Sequence, residues 1–192
     1  MTANEVIIVN KRYSDKDTRS FYPYTVLNSA LKESADKYGS YQVKVAEHLF
    51  PNHRTLDFLE DGKELNVVMV VTSNEWEQRA IPIRIPLRFG ALAYRLLAIN
   101  KQNLNRFSSV TDINSLKTHT VGLHRNWTTW DIMNHYGFKI STVYSYESLF
   151  GMLNKNRFDF IQRGVHEIYD EIEYRSNTMP NLTIEPSIAL YM

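Results

Sequence analysis

An α/β fold in two units, each a mainly parallel sheet flanked by helices, is what this 192-residue sequence predicts. Three observations carry the reading. Short β-branched runs alternate with stretches of helical period as far as Val71, the same alternation resumes after Phe89, and "RAIPIRIPLRFG" separates the two with Pro82 and Pro86. Each proline removes a backbone donor and holds the residue before it extended, so neither a helix nor a central strand continues through that stretch. No repeat of fixed period relates the two units.

In order along the chain, "EVIIVNKRY" is a short apolar run and "LNVVMVV" from Leu65 a longer one, both with the character of strands buried on two faces. Between them Leu27, Ala30, Leu31, Ala35 and Tyr38 recur at helical spacing, with Gly39 placed as a left-handed cap. "YQVKVAEH" alternates as a strand, and "HRTLDFLEDG" makes a short helix closed by Gly62. Strand, helix, strand, helix, strand is the order of right-handed crossovers and a parallel sheet. In the second unit "ALAYRLLAINK" is a strand, Thr111 to Lys117 a helical turn, and "HTVGLH" a strand that runs into the helix of "NWTTWDIMNHYGF". "KISTVYS" follows as a strand and "YESLFGMLNKN" as a helix burying Leu149, Phe150 and Leu153. "RFDFIQR" is a strand, and "GVHEIYDEIEYRS" a helix with Val165, Ile168 and Ile172 inward and its acidic residues on a solvated face. "LTIEPSIALYM" runs extended. The expected boundaries are 1–88 for the first unit and 89–183 for the second, with 184–192 returning to the first.

Composition removes several classes of function. The 22 basic residues against 21 acidic ones leave a charge of +1, so there is no field to draw in nucleic acid or an anionic membrane, and partners must be sought in local features. With no cysteine, disulfides, thiolate catalysis and cysteine-held metal are excluded. His48, His53, His119, His124, His135 and His166 show no HExxH spacing, and no metal or other cofactor is expected. The absence of GxxxxGKS/T, GxGxxG and GxSxG takes support from most nucleotide enzymes and hydrolases. No apolar run approaches the ~18 residues that cross a bilayer. "MTANEVIIVN" lacks the regions of a signal peptide, and a mature protein from which one had been removed would begin in the same way.

The stretch "VGLHRNWTTWDIMNHYGF" concentrates the chemistry. Thr128 to Asp131 fit a Thr-x-x-Asp capping box, Asn126 is a rival cap, and Gly137 closes the helix after about two turns. A strand feeding straight into a helix start points free N–H groups and the positive end of the helix dipole at the carboxyl edge of the sheet, where open α/β sheets bind ligands. An anion fits there; the commoner role for threonines at such a junction is to cap the helix and no more. Trp130 lies within a helical period of Met133 and packs; Trp127, ahead of the helix at the rim, suits packing and a ligand platform equally.

The order of units and these residues resemble the type 2 periplasmic binding proteins, especially the extracellular solute-binding proteins of family 3. In "VGLHRNWT" Val121 and Gly122 match the family's strand, Thr128 matches the second threonine of its Gly-Thr-Thr helix start, and Trp127 replaces the first. "RFDFIQR" around Asp159 is similar to the family's "grvDavv" strand, and "YPYTVLNSALKES" to its first helix. The resemblance implies a two-lobed periplasmic-binding-protein-like fold that closes on a small-molecule ligand in the periplasm and presents the closed form to a membrane permease or a sensor. Two departures bear on the ligand. In "VTSNEWEQRAIPIRIP" Glu77 stands where the family's carboxylate-clamping arginine belongs, with Arg79 two positions later, and Arg163 and Gly164 stand where it offers an aspartate to an ammonium. A positive charge for a negative one argues against an α-amino acid and for an anionic or neutral polar ligand. The family's further helices after the return strand have no counterpart before Met192, so a truncated chain, a shortened member or a homodimer that covers the first lobe is expected.

The site residues expected are therefore Trp127 and Thr128 at the helix mouth, Arg163 opposite, Tyr13 and Trp76 as stacking walls, and Arg79 or Arg84 as a cation. Tyr13 belongs to an aromatic loop, Lys11 to Tyr24, that is either a stacking surface or packed on itself. Two other functions stay open on the same scaffold: a lyase-like enzyme using His124 or Glu77 as acid or base, and a sensory or partner-binding module whose pocket its own side chains fill.

Overall fold

In the computed structural model, which describes residues 5–13, 17 and 19–192, the side chains of Asn52 and His53 excepted, the chain divides into two units, Met1–Leu87 and Arg88–Met192. In the first, Glu5–Val9 (β1) and Tyr41–Val45 (β2) pair in parallel, with Ile7 opposite Val43. Phe21–Tyr38 (α1) joins them and ends at Gly39, whose φ of 96° and amide bond to the Ala35 carbonyl stop the helix. Its inward face is only partly covered: Leu27, Leu31 and Ala35 are half-buried, while Ala30 and Tyr38 are exposed. Asn52–Asp61 (α2) closes at Gly62, which is left-handed at φ 70°. Among the described residues this unit buries Ile7, Val9 and Leu56 and a cluster of Ala46, Phe50 and Leu65, with the Phe58 ring 4.0 Å from that of Phe50.

The strand expected from Leu65 to Val71 does not form. The side chain of Asn66 accepts from the Ile8 amide at 2.7 Å and donates to the Val6 carbonyl at 2.8 Å, and the amides of Asn66 and Val67 both donate to the Ile8 carbonyl, so the contact with β1 is gathered at one point and no regular ladder runs on. Beyond it Met69, Val70 and Val71 are exposed. A helix follows at Asn74–Arg79 (α3), where the Ser73 hydroxyl accepts from the Trp76 amide.

The second unit holds one five-stranded sheet. In chain order its elements are Tyr94–Asn100 (β3), Leu104–Phe107 (α4), Ile113–Lys117 (α5), Thr120–His124 (β4), Thr128–His135 (α6), Lys139–Val143 (β5), Tyr146–Asn154 (α7), Phe160–Gly164 (β6), Ile168–Arg175 (α8) and Leu182–Tyr191 (β7). The strand order is β5-β4-β6-β3-β7. β4 is parallel to β5 and β6, whereas β3 is antiparallel to β6 and β7, so the sheet is mixed.

The C-terminal segment, expected to return to the first unit, is instead the edge strand beside β3, with Tyr94 opposite Tyr191. The reason is apolar burial: Ile188, Leu190 and Met192 pack against the core of the second unit. Pro186 is accommodated in a bulge, where one residue of β3 (Leu97, between Leu96 and Ala98) faces four of β7 (Glu185 to Ile188, between Ile184 and Ala189). Inside the bulge the buried Glu185 carboxylate accepts from the amides of Ser187 and Ile188.

Leu97, Ile99, Val121, Leu123, Phe107 and Phe160 form the centre of this unit's core. Gly122 is required by a close approach, because a Cβ there would lie 2.3 Å from the ring of the buried Phe158. Gly122→Ala is therefore expected to lower stability in urea by about 1–3 kcal/mol through overpacking, and Phe158→Leu in the same chain to recover part of that loss. A Gly122→Ala chain as stable as the original would contradict this packing.

Candidate functional site

Parallel register sets the carboxyl edge of the second sheet. Val121 faces Phe160 across β4 and β6, so His124 and Arg163 reach the same end, and antiparallel β3 brings Arg95 there opposite Gly164. The turns that follow β4, β5 and β6 deliver Trp127, Tyr146 and Glu167 to this edge.

Arg163 is the centre of the arrangement and is buried, its side chain 3% exposed. Its Nε and Nη2 donate to the two carboxylate oxygens of Glu171 at 2.8 and 2.6 Å, and Nη2 also lies 2.9 Å from Glu167. The guanidinium stacks 4.5 Å from the centre of the Trp127 ring, and the Tyr146 hydroxyl donates to Glu171 at 2.5 Å. Burial works against the cation, but Glu167 and Glu171 more than offset it and raise the pKa of Arg163. Behind this pair, Arg175 donates to the Glu171 carbonyl, reaches Glu147 at 3.1 Å and lies 3.8 Å over the Phe150 ring.

Two expectations change here. The acidic helix is not a solvated face: Glu167 and Glu171 are buried, as is Arg175, because each has an opposite charge within the unit. Arg163 presents no uncompensated charge to a ligand, so the argument from charge reversal against an α-amino acid loses its ground.

At the mouth of α6 the capping box is absent. Trp127 is the N-cap residue with φ −91° and ψ 138°, no side chain caps the helix, and Asp131 instead lies 3.7 Å from Arg125. Thr128, exposed, takes the first helical position. The amides of Thr128 and Thr129 donate to no protein acceptor among the described residues. Trp127 is 9% exposed and stacked on His124, with ring centres 5.5 Å apart, and His124 Nδ1 accepts from the Asn126 amide. Trp130 packs on the core and donates from its indole nitrogen to Thr142. Among the expected residues the structure thus brings Trp127, Thr128 and Arg163 to one edge. Sequence reasoning missed Glu167, Glu171 and Tyr146; the signal was the recurrence of Glu167, Glu171 and Arg175 every four residues, on the stripe that starts with Ile168.

The other four lie in the first unit. Arg79 is held by Asp57 and Glu60 of α2 at 2.7 Å each and by Glu75 at 2.9 Å, and these hydrogen bonds, that of Glu60 foremost, raise its pKa. Arg84, exposed, pairs with Glu77, whose carboxyl is held below its ordinary range by the Thr72 hydroxyl and then by Arg84. Both cations are thus engaged in surface ion pairs. Trp76 is half-buried on α3. Tyr13 carries Arg19 5.2 Å over its ring, its amide donates to Asp17, and burial raises its phenol pKa. Ser14, Asp15, Lys16 and Thr18 of the aromatic loop lie outside the described residues. Among the described residues no cluster of three or more acidic or histidine side chains could hold a metal ion, and no helix is long and apolar enough to cross a membrane.

No protein-family model and no curated protein matches the chain. Solved structures do. An ancestral arginine-binding protein bound to arginine aligns over all of this chain and 85% of its own, with TM-score 0.61 and 13% identity. A histidine kinase sensor domain with similarity to periplasmic binding proteins aligns over 98% of this chain and 79% of its own, with TM-score 0.63 and 12% identity. The arginine-, lysine-, histidine-binding protein ArtJ of Geobacillus stearothermophilus aligns over 99% and 80%, with TM-score 0.61 and 14% identity. Likeness at these identities defines the fold: this chain has the two-unit α/β architecture of the periplasmic binding proteins.

One residue of the edge titrates in a useful range. Burial pushes His166 down to about 4, with Arg88, Arg95 and Arg163 adding to the effect and Glu167 opposing it. In the unfolded chain the imidazole regains its ordinary value of 6.5, so between the two values only the unfolded chain takes up the proton. Stability contributed here is whole above that ordinary value and declines as pH falls toward the folded one. Urea midpoints across that interval are expected to fall more steeply for the original chain than for His166→Gln, and equal slopes would contradict a buried neutral imidazole.

Proposed function

We propose that the chain is an extracytoplasmic solute-binding protein that takes a small polar ligand, amino-acid-like or an organic acid, for transport or for sensing, and does not transform it. The observation that carries this is the mouth of α6. Two first-turn amides without a protein acceptor open beside a tryptophan that is fixed from both sides, by His124 and by Arg163. A ligand carboxylate is the natural acceptor for such amides, and the ring offers an apolar wall beside it. Periplasmic binding proteins are the fold in which this edge lies, and the matching structures include an arginine-binding protein bound to arginine and a sensor domain of a histidine kinase. An enzymatic reading is weaker: His124 is stacked and accepts from the Asn126 amide, and Glu77 is engaged by Thr72 and Arg84.

A second reading has one observation in its favour. Glu167 and Glu171 place the chain's own carboxylates on Arg163, as expected of a sensory or partner-binding module with a filled pocket. Ligand response separates the two readings.

Calorimetry and thermal-shift assays with amino acids and organic acids are expected to identify a stabilising compound, adding about 2.7 kcal/mol at a hundredfold excess over Kd. Thr128→Pro then tests the mouth itself. Proline suits the first helical position and Trp127 already has the extended backbone that precedes a proline, so the fold is kept while one amide donor is lost. Loss of a bond to a charged acceptor is expected to weaken binding about 10- to 100-fold, with Thr128→Ala unchanged. No stabilising compound for a folded sample, or unaltered binding by Thr128→Pro, would overturn the proposal.

A further inference from the structure

Glu167 is held as a bound anion is held. Its Oε1 accepts from the Gly164 amide at 2.8 Å and lies 3.5 Å from Nη1 of Arg95, while its Oε2 lies 2.9 Å from Nη2 of Arg163 and 3.9 Å from the His166 ring. One backbone amide and two guanidinium groups, brought together by β3 and β6, converge on one carboxylate that is itself buried.

Three features distinguish this cradle from an ordinary ion pair. The carboxylate does nothing for its own helix: Glu167 is the N-cap residue of α8, yet its side chain makes no bond to the first turn and turns back to Gly164. The cradle also holds a donor that Glu167 does not use, since Arg95 Nε is buried without a hydrogen-bond partner among the described residues. Finally, the backbone beneath is bare. A Cβ on Gly164 would lie 2.4 Å from the His166 ring and 3.2 Å from the Glu167 carboxylate. Arg163 has Glu171 as a second, bidentate counter-ion, whereas among the described residues the one ion pair of Arg95 is with Glu167.

We infer that Arg95, Arg163 and the Gly164 amide form a binding site for a small carboxylate, whose resident occupant is the chain's own Glu167. A free monocarboxylate of formate or acetate size takes the same place once that side chain is gone. The site lies within the second unit and exists whether or not the α6 mouth binds a solute.

Chemical rescue tests this directly. Glu167→Ala is expected to melt well below the original chain, because Arg95 is left without its counter-charge. Formate or acetate is expected to restore most of that loss saturably, while chloride at equal ionic strength does not, and the original chain is expected not to respond to either. Arg95→Gln added to Glu167→Ala is expected to abolish the rescue. Glu167→Ser, which supplies an N-cap hydroxyl for α8, is the second variant and is expected to behave in the same way. The inference is overturned if formate acts no better than chloride, if it moves the original chain equally, or if rescue survives the loss of Arg95. It is overturned too if neither variant folds even in formate. None of these results bears on ligand binding at Thr128, which is read separately.

Discussion

A guanidinium buried at the end of a strand must be matched or the strand cannot stay where it is. Arg163 is such a group, and Glu171 and Glu167 match it. Removing an ion from water costs several kcal/mol even after relaxation, and the mutual attraction recovers this only where geometry is good and the remaining donors are satisfied. Here the pairing is bidentate, Tyr146 donates to the same carboxylate, and Trp127 covers the face of the cation. The consequences spread outward. Glu171 can reach Arg163 only if α8 docks beside β6, Arg175 then reaches back to Glu147 on α7, and the Trp127 ring is fixed where α6 begins. One charge pair thus sets the positions of three helix starts around the sheet edge.

The two units differ in how they are held together. In the second, a continuous apolar core supports five strands, and buried ion pairs gather about Arg163 at the sheet's edge. In the first, two strands carry a helix whose apolar face is half covered, Asp17 is buried against Arg19, and Arg79 sits in surface ion pairs with Asp57, Glu60 and Glu75. Exposed pairs of that kind contribute little, typically about 0–1 kcal/mol each. The rigid, preset features on which recognition can be built therefore belong to the second unit.

Much of this was legible in the sequence, and the failures have physical causes. Alternation and helical spacing located β1, α1, β2 and α2, and the succession from β4 to α8, because those patterns arise from burial on one face. "LNVVMVV" misled because apolar content signals a strand only if a neighbouring strand accepts its ladder, and here the bonds to β1 are gathered at Asn66 and Val67 and do not continue. The antiparallel placement of β3 and the pairing of β7 with it depend on contacts far apart in the chain, which no local pattern encodes. At the site, Trp127 and Arg163 were visible as residue types at a strand end, but the partners of Arg163 were hidden. Glu167 and Glu171 read as surface charges because the arginine that buries them lies on another element. The cap at Thr128 was misplaced by one residue, and it is this shift that leaves the first amides of α6 open.

A double-mutant cycle between Arg163 and Glu171 tests the central claim most directly, using urea unfolding of Arg163→Met, Glu171→Leu and the pair. If the buried pair organises the edge, each single change costs about 3–5 kcal/mol and the pair much less than their sum, since two apolar side chains leave neither partner charge stranded. Losses that add to within about 0.5 kcal/mol would show that the two side chains do not depend on each other, and would contradict the account.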